Sequence, residues 1–239
     1  MDKEEFKKIM TSNLKELNIE LSEKQLNQFY DYMKLLIEWN KVMNLTAIID
    51  PKEIIVKHFI DSLTVLGSVN KSDNIIDVGT GAGFPGIPIK IAYPETNVIL
   101  LDSLNKRVKF LNEVITKLGL TNIEAIHGRA EEYGRNKNYR EKFDISIARA
   151  VAPLNVLLEY LIPFVKVNGK CVCMKGSNSL EEIENSANAI EILGGKLIET
   201  EEFLIPNTDM KRKIVEIRKV KQTEKRYPRK AGTPSKEPL

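Results

Sequence analysis

From Asn74 onward the chain alternates short apolar runs with segments of helical spacing. Ile75–Val78, Val98–Leu101, Ile123–Ile126, Phe143–Ile147 and Lys170–Met174 have the length and composition of buried strands, and segments 86–93, 105–118, 153–165 and 179–193 place apolar residues at three- and four-residue intervals. Leu118-Gly119 and Leu193-Gly194-Gly195 end two of those segments with the glycines that left-handed caps favour. Repeated β and α units of this length predict a parallel sheet with helices on both faces. The end of the pattern differs. Segments 197–204 and 213–220 are strand-like, with only Pro206-Asn207-Thr208-Asp209 between them, which predicts an antiparallel pair closing one edge of the sheet.

Ahead of this repeat, residues 1–70 read as helical. Ser22-Glu23-Lys24-Gln25 is a capping box, and Leu26, Phe29, Tyr30, Met33, Leu36 and Ile37 behind it form one apolar face to about Trp39. Asp50-Pro51-Lys52-Glu53 opens another helix, with proline in the first turn, where its missing amide costs nothing. The organisation expected is therefore a helical N-terminal extension (1–70), a sheet domain (71–220) and a basic, proline-punctuated C-terminal tail (221–239). Charge supports the last division. Net charge is +3, yet from Lys211 onward 11 Lys and Arg face 3 Glu, a balance of +8, leaving −5 for the rest. That asymmetry points to a polyanionic partner, nucleic acid before a membrane surface; the plainer reading is a solvated tail that aids solubility.

Hydrophobic residues at 42% and charged residues at 29% exclude a disordered or fibrous chain. Leu154–Val165, the longest apolar stretch, is interrupted by Asn155, Glu159 and Pro163 and falls short of the roughly 18 residues of a membrane span. Met1-Asp2-Lys3-Glu4-Glu5 reads as neither a secretory signal nor a transit peptide. Cys171 and Cys173, two apart on one strand, are poor disulfide partners and are expected as reduced thiols. A cytoplasmic protein is expected.

The strongest local signal is Asp77-Val78-Gly79-Thr80-Gly81-Ala82-Gly83-Phe84-Pro85-Gly86, after the first strand and opening a helix. It satisfies the dinucleotide spelling Gly81-x-Gly83-x-x-Gly86, with Asp102 about 20 residues on to accept ribose hydroxyls. Asp77, however, sets a carboxylate where a pyrophosphate would lie. It suits a cation instead, and S-adenosylmethionine carries a sulfonium and an ammonium. Ala130 and Glu131, after the third strand, can meet adenine through a backbone amide and a side-chain acceptor; the alternative is an ordinary helix start rich in Glu. Arg149, at the end of the fourth strand between alanines, is a ligand contact or a structural ion pair. No Asp-Pro-Pro-aromatic or Asn-Pro-Pro-aromatic stretch and no nucleophilic cysteine occupies that position. His58 either lines the site or is structural, and the case for His127 is weaker still. The two histidines and two same-strand cysteines assemble no metal site by spacing, and no serine sits in a G-x-S-x-G elbow.

Several segments together resemble one family: Trp39-Asn40-Lys41-Val42-Met43-Asn44-Leu45-Thr46, His58-Phe59-Ile60-Asp61-Ser62, the glycine loop, Asp102-Ser103-Leu104-Asn105-Lys106-Arg107, Gly128-Arg129-Ala130-Glu131, Ala148-Arg149-Ala150 and Tyr227-Pro228-Arg229-Lys230-Ala231-Gly232-Thr233-Pro234. They are similar to the bacterial small-subunit ribosomal RNA methyltransferase G family, also called the glucose-inhibited division protein B family, from about residue 25 to the C-terminus. The resemblance implies a Rossmann-like class I S-adenosylmethionine-dependent methyltransferase with a seven-stranded sheet, acting on N7 of guanine 527 in the 530 loop of 16S rRNA. It implies cofactor contacts at Gly79, Phe84, Ala130, Glu131 and Arg149, which join Gly81 and Asp102 of the loop reading.

Guanine N7 has a lone pair and no proton to lose, so the transfer needs positioning more than acid–base chemistry. Arg149 is the expected orienting group, with His58 as a second catalytic candidate. Lys175, Lys225, Arg226, Arg229 and Lys230 are the expected RNA contacts. The partner would be 16S rRNA or the 30S subunit, the enzyme a monomer without metal. Two other readings stand beside this one: an NAD-dependent oxidoreductase resting on the glycine spelling and Asp102, and a cofactor-binding RNA module without turnover.

Overall fold

The computed structural model describes residues 1–149, 152–176 and 180–239. Ala150 and Val151, after the fourth strand, and Ser179, at the start of the predicted segment 179–193, lie outside them. Within the described residues the seven strands β1 (Asn74–Val78), β2 (Asn97–Asp102), β3 (Ile123–His127), β4 (Phe143–Arg149), β5 (Val165–Gly176), β6 (Gly195–Leu204) and β7 (Lys211–Lys219) form one sheet in the order β3-β2-β1-β4-β5-β7-β6. The pairs from β3 to β5 are parallel. β7 runs antiparallel to both β5 and β6, so the edge hairpin is inserted with its second strand inward.

The helices lie in two layers. On one face are α1 (Lys3–Glu16), α2 (Glu23–Met43), α5 (Gly86–Ala92) and α6 (Asn105–Lys117); on the other are α8 (Leu154–Leu161) and α10 (Ala187–Ile192), preceded by the short α9 (Leu180–Glu184). Strand residues divide between the layers with period two. Ile75 packs with the first and Ile76 with the second; Val172 and Met174 face the first, while Cys171 and Cys173 face the second. Both cysteines are free and buried, with sulfurs 3.7 Å apart. Phe6, Met10 and Leu14 of α1 and Phe29, Tyr32 and Leu36 of α2 share the first of these cores with the sheet.

Local chemistry explains how the N-terminal helices are held. Ser22 and Gln25 complete the capping box, and Gln25 Nε2 donates to the carbonyls of Ile91 and Ala92, tying the start of α2 to the end of α5. Asp50 caps α3 (Pro51–Ile54), which widens into a π turn over Ile55–Ile60 before α4 (Asp61–Leu63) and a 3₁₀ turn, Thr64–Ser68. The sequence reads as plain helix across this stretch; the π turn is a difference, and it carries His58. α7 (Ala130–Tyr133) follows β3, and α11 (Thr233–Lys236) closes the chain. No helix among the described residues is long and apolar enough to cross a membrane.

Candidate active site

The parallel strands β1 and β2 end side by side, and the loop after β1 turns over their carboxyl ends. Gly79 N–H donates to the Leu101 carbonyl at 2.8 Å, and Gly81 N–H donates to Asp102 Oδ2 at 2.9 Å. Gly83 has φ +98, and a Cβ there would lie 2.6 Å from the Tyr32 hydroxyl, which itself donates to the Ala82 carbonyl. Gly86 is required for a different reason. A Cβ on it would overlap Leu100 and come within 2.8 Å of Asp77 Oδ2.

Asp77 is wholly buried beneath this loop. Its Oδ2 accepts from Thr80 Oγ1 at 2.6 Å and from Gly86 N–H at 2.8 Å, while Oδ1 has no hydrogen-bond partner. Burial, partly opposed by those bonds, raises its pKa to about 7. The carboxylate therefore shapes the loop from below and does not line either cavity above it.

Those two cavities share Gly79 and Ser103 and form a trough across the strand ends. The smaller, about 160 Å³, is lined by Val78, Leu101, Ala130, Glu131 and Tyr160. The larger, about 470 Å³, holds Gly81, Phe84, Asp102, Arg107, His58 and Arg149. Asp102 Oδ1 accepts from Leu104 N–H at 2.9 Å, and Arg107 lies 3.3 Å from Oδ2.

At the far wall, Arg149 reaches from the end of β4 into the π turn. Its Nη1 donates to Asp61 Oδ2 at 3.0 Å and to the carbonyls of Lys57 and His58 at 3.2 and 3.3 Å; its Nη2 donates to His58 Nδ1 at 3.2 Å. Asp61, itself buried, also accepts from Arg212 Nε of β7 at 3.0 Å. Because Arg149 donates to Nδ1, the His58 proton sits on Nε2 and is donated to Thr46 Oγ1 at 2.9 Å. Burial, then the neighbouring guanidinium, pushes the His58 pKa down to about 3. The His58 ring stacks on Phe84 at 4.5 Å, and the guanidinium carbon of Arg149 lies 4.9 Å from the same ring.

A family model described as GidB, rRNA small subunit methyltransferase G, matches residues 25–215. Ribosomal RNA small subunit methyltransferase G of Acetivibrio thermocellus is 54% identical to this chain over 100% of both, and that of Desulforamulus reducens 55% identical over 94% of this chain and 95% of its own. The chain belongs to the rRNA small subunit methyltransferase G family. Two solved structures share the fold. TYW2 of M. jannaschii, solved in complex with AdoMet, superposes with a TM-score of 0.54 at 18% identity, covering 67% of this chain and 75% of that one. A putative methyltransferase from Bacillus halodurans gives 0.52 at 14%, covering 68% and 99%. As a member of the family the chain is a methyltransferase of small-subunit ribosomal RNA, and the oxidoreductase and non-catalytic readings fall away.

In this member of the methyltransferase G family the trough gathers Gly79, Gly81, Phe84, Asp102, Ala130, Glu131, His58 and Arg149. The expected basic contacts lie elsewhere, and two correct the sequence reading. Lys175 is buried, donating to the Ala152 carbonyl at 2.7 Å and paired with Glu182 at 2.7 Å, so it does not face an RNA backbone. Arg229 is bound to the buried carboxylate of Glu159, with Nη2–Oε2 at 2.6 Å. Lys225 and Lys230 are exposed, and Arg226 pairs with Glu224 at 2.9 Å beside the Tyr227 ring. His127 is exposed near the Ser103 carbonyl. The structure adds Asp61, Arg212, Thr46 and Tyr32 to the site. For Asp61 a signal exists in the sequence: an acid inside the apolar stretch Ile54–Leu63 is buried at tolerable cost only against a cation.

Proposed function

We propose that the chain transfers the methyl group of S-adenosylmethionine to N7 of guanine 527 in the 530 loop of 16S rRNA, working as a cytoplasmic monomer on the RNA or the 30S subunit. The residues present fit that cofactor. Asp102 puts a carboxylate in the lining of the larger cavity, which suits a cationic ligand and would repel a pyrophosphate. The glycine loop leaves the main chain open to close approach, Asp102 stands where ribose hydroxyls are accepted, and Ala130 with Glu131 forms the wall for the adenine.

The observation that carries the choice of atom is the engagement of His58, the imidazole that lines the larger cavity: its lone pair is occupied by Arg149, which leaves it no site to take a proton. An exocyclic amine or a hydroxyl must lose a proton on methylation; guanine N7 need not. When bound, S-adenosylmethionine would supply a methyl on a sulfonium, which a lone pair such as that of guanine N7 could accept with no proton to remove. The chain's part is geometric. Phe84 stacks with the rings of His58 and Tyr32, the Arg149 guanidinium lies over it, and Asp61 fixes that guanidinium, so the wall of the cavity is rigid. His58 on this account positions and transfers no proton.

The test is transfer of tritiated methyl to 30S subunits and to stripped 16S rRNA from a methylation-deficient strain, followed by borohydride–aniline cleavage at 7-methylguanosine. A single cut in the 530 loop is expected. Label that resists this cleavage would place the methyl on another atom and overturn the proposal.

A further inference from the structure

Residues 221–239 lie beyond the stretch matched by the family model, and they do not trail into solvent. Tyr227, Pro228 and Pro234 are buried. Arg140 donates to the carbonyls of Thr223 and Tyr227, and Arg135 Nε to that of Pro228, each at 2.7 Å. The anchor is Arg229. Its backbone N–H donates to Glu159 Oε1 at 2.6 Å, and its guanidinium donates to both carboxylate oxygens at 2.6 to 3.0 Å. Glu159, on α8, is 0% exposed, so this pair is the carboxylate's charge partner in the interior.

Past that anchor the segment reaches the trough. Gly232 N–H donates to Glu131 Oε1 at 3.0 Å, and Ser235 Oγ lies 2.9 Å from the Tyr160 hydroxyl. Glu131 and Tyr160 both line the smaller cavity. Glu131 sits on a helix of only 4 residues, and Oε1 has no other hydrogen-bond partner among the described residues. A glutamate with several rotatable bonds on so short a support keeps one rotamer only while something holds it.

We propose that the C-terminal segment is the outer wall of the adenosine subsite, with Arg229 and Glu159 clamping it and Gly232 setting the Glu131 carboxylate for the ligand. This rests on the trough being the S-adenosylmethionine site. Arg229 and Gly232 are then positioning residues for the reaction. Without the guanidinium, Glu159 regains water most readily by letting the segment lift away, and Glu131 must be ordered again at each binding event.

Calorimetric titration of the full-length protein with S-adenosylmethionine and with 5′-methylthioadenosine, which lacks the amino-acid half, tests the assignment. Two altered proteins are compared: Arg229→Ala, and a chain ending at Lys230 that keeps the clamp and loses Gly232 and Ser235. Both are expected to bind both ligands about tenfold more weakly, by the same factor for each ligand, as befits a lost charged hydrogen bond. In steady state the cofactor KM rises while kcat on 30S subunits at saturating cofactor stays unchanged. Affinities equal to wild type, or a loss confined to S-adenosylmethionine, overturn the wall. If Arg229→Ala does not fold, the shortened chain decides. If the wild-type protein binds neither ligand, the reading of the trough itself fails, a result visible before any variant is made.

Discussion

Burial drives the His58 pKa down from 6.5 to about 3 and the Asp77 pKa up from 3.8 to about 7. The two shifts act on stability with opposite signs. An unfolded chain protonates His58 below pH 6.5 while the folded one does not, so this contribution is lost as pH falls through that value. Asp77 stays protonated in the folded chain up to about 7 and ionises at 3.8 when unfolded, so its contribution is lost as pH rises through the interval. Between about pH 4 and 6.5 the slopes oppose each other, each close to 1.4 kcal/mol per pH unit at its limit. Urea unfolding across this window is expected to show stability falling with rising pH in His58→Gln and rising in Asp77→Asn; slopes of the same sign in both would defeat the argument. At Gly86 the expected effect is steric. Gly86→Ala forces a methyl against Leu100 and Asp77 and should cost roughly 1–3 kcal/mol, read from the same titrations.

At the scale of elements, the π turn, β4 and β7 meet on one carboxylate. Asp61 pairs with Arg149 and Arg212, so Asp61→Ala leaves two partly buried guanidinium groups without it. A loss of about 3–5 kcal/mol in unfolding free energy is expected, together with reduced methyl transfer as Arg149 loses its place. Asp61→Asn, isosteric and uncharged, should lie between. The members of this arrangement leave a trace in the sequence, an acid within an apolar stretch and an arginine at a strand end, but their pairing does not. Arg149 and Asp61 stand 88 positions apart, beyond any local pattern, and a π turn shifts hydrogen bonds without altering the apolar spacing that announces a helix. The central strands were legible because burial gives β1 and β2 runs of Ile, Val and Leu, and the glycine loop because its backbone tolerates little else. β5 shows where that signal stops. It begins at Val165, five residues before its apolar run, because Lys166, Val167 and Asn168 are exposed.

Taken as a whole, the molecule keeps more of its basic tail at home than a charge count suggests. The +8 balance from Lys211 onward includes Lys213, Lys219 and Arg229, each paired with a carboxylate of the body. Formal charge cannot separate a lysine in an ion pair from one awaiting a phosphate, which is why Arg229 reads in the sequence like Lys230. For RNA binding the exposed set is smaller. Replacing Lys225, Arg226 and Lys230 together by Ala should lower the slope of log K against log salt by about 2, measured by filter binding with 16S rRNA fragments. An unchanged slope would place the RNA contacts elsewhere. The strand order has a consequence for how the chain is made. β6 is synthesised before β7, yet its backbone pairing is with β7, which itself fits between β6 and β5. A growing chain therefore carries an unfinished sheet until residues 211–219 have left the ribosome, and the wall beside Glu131 arrives later still.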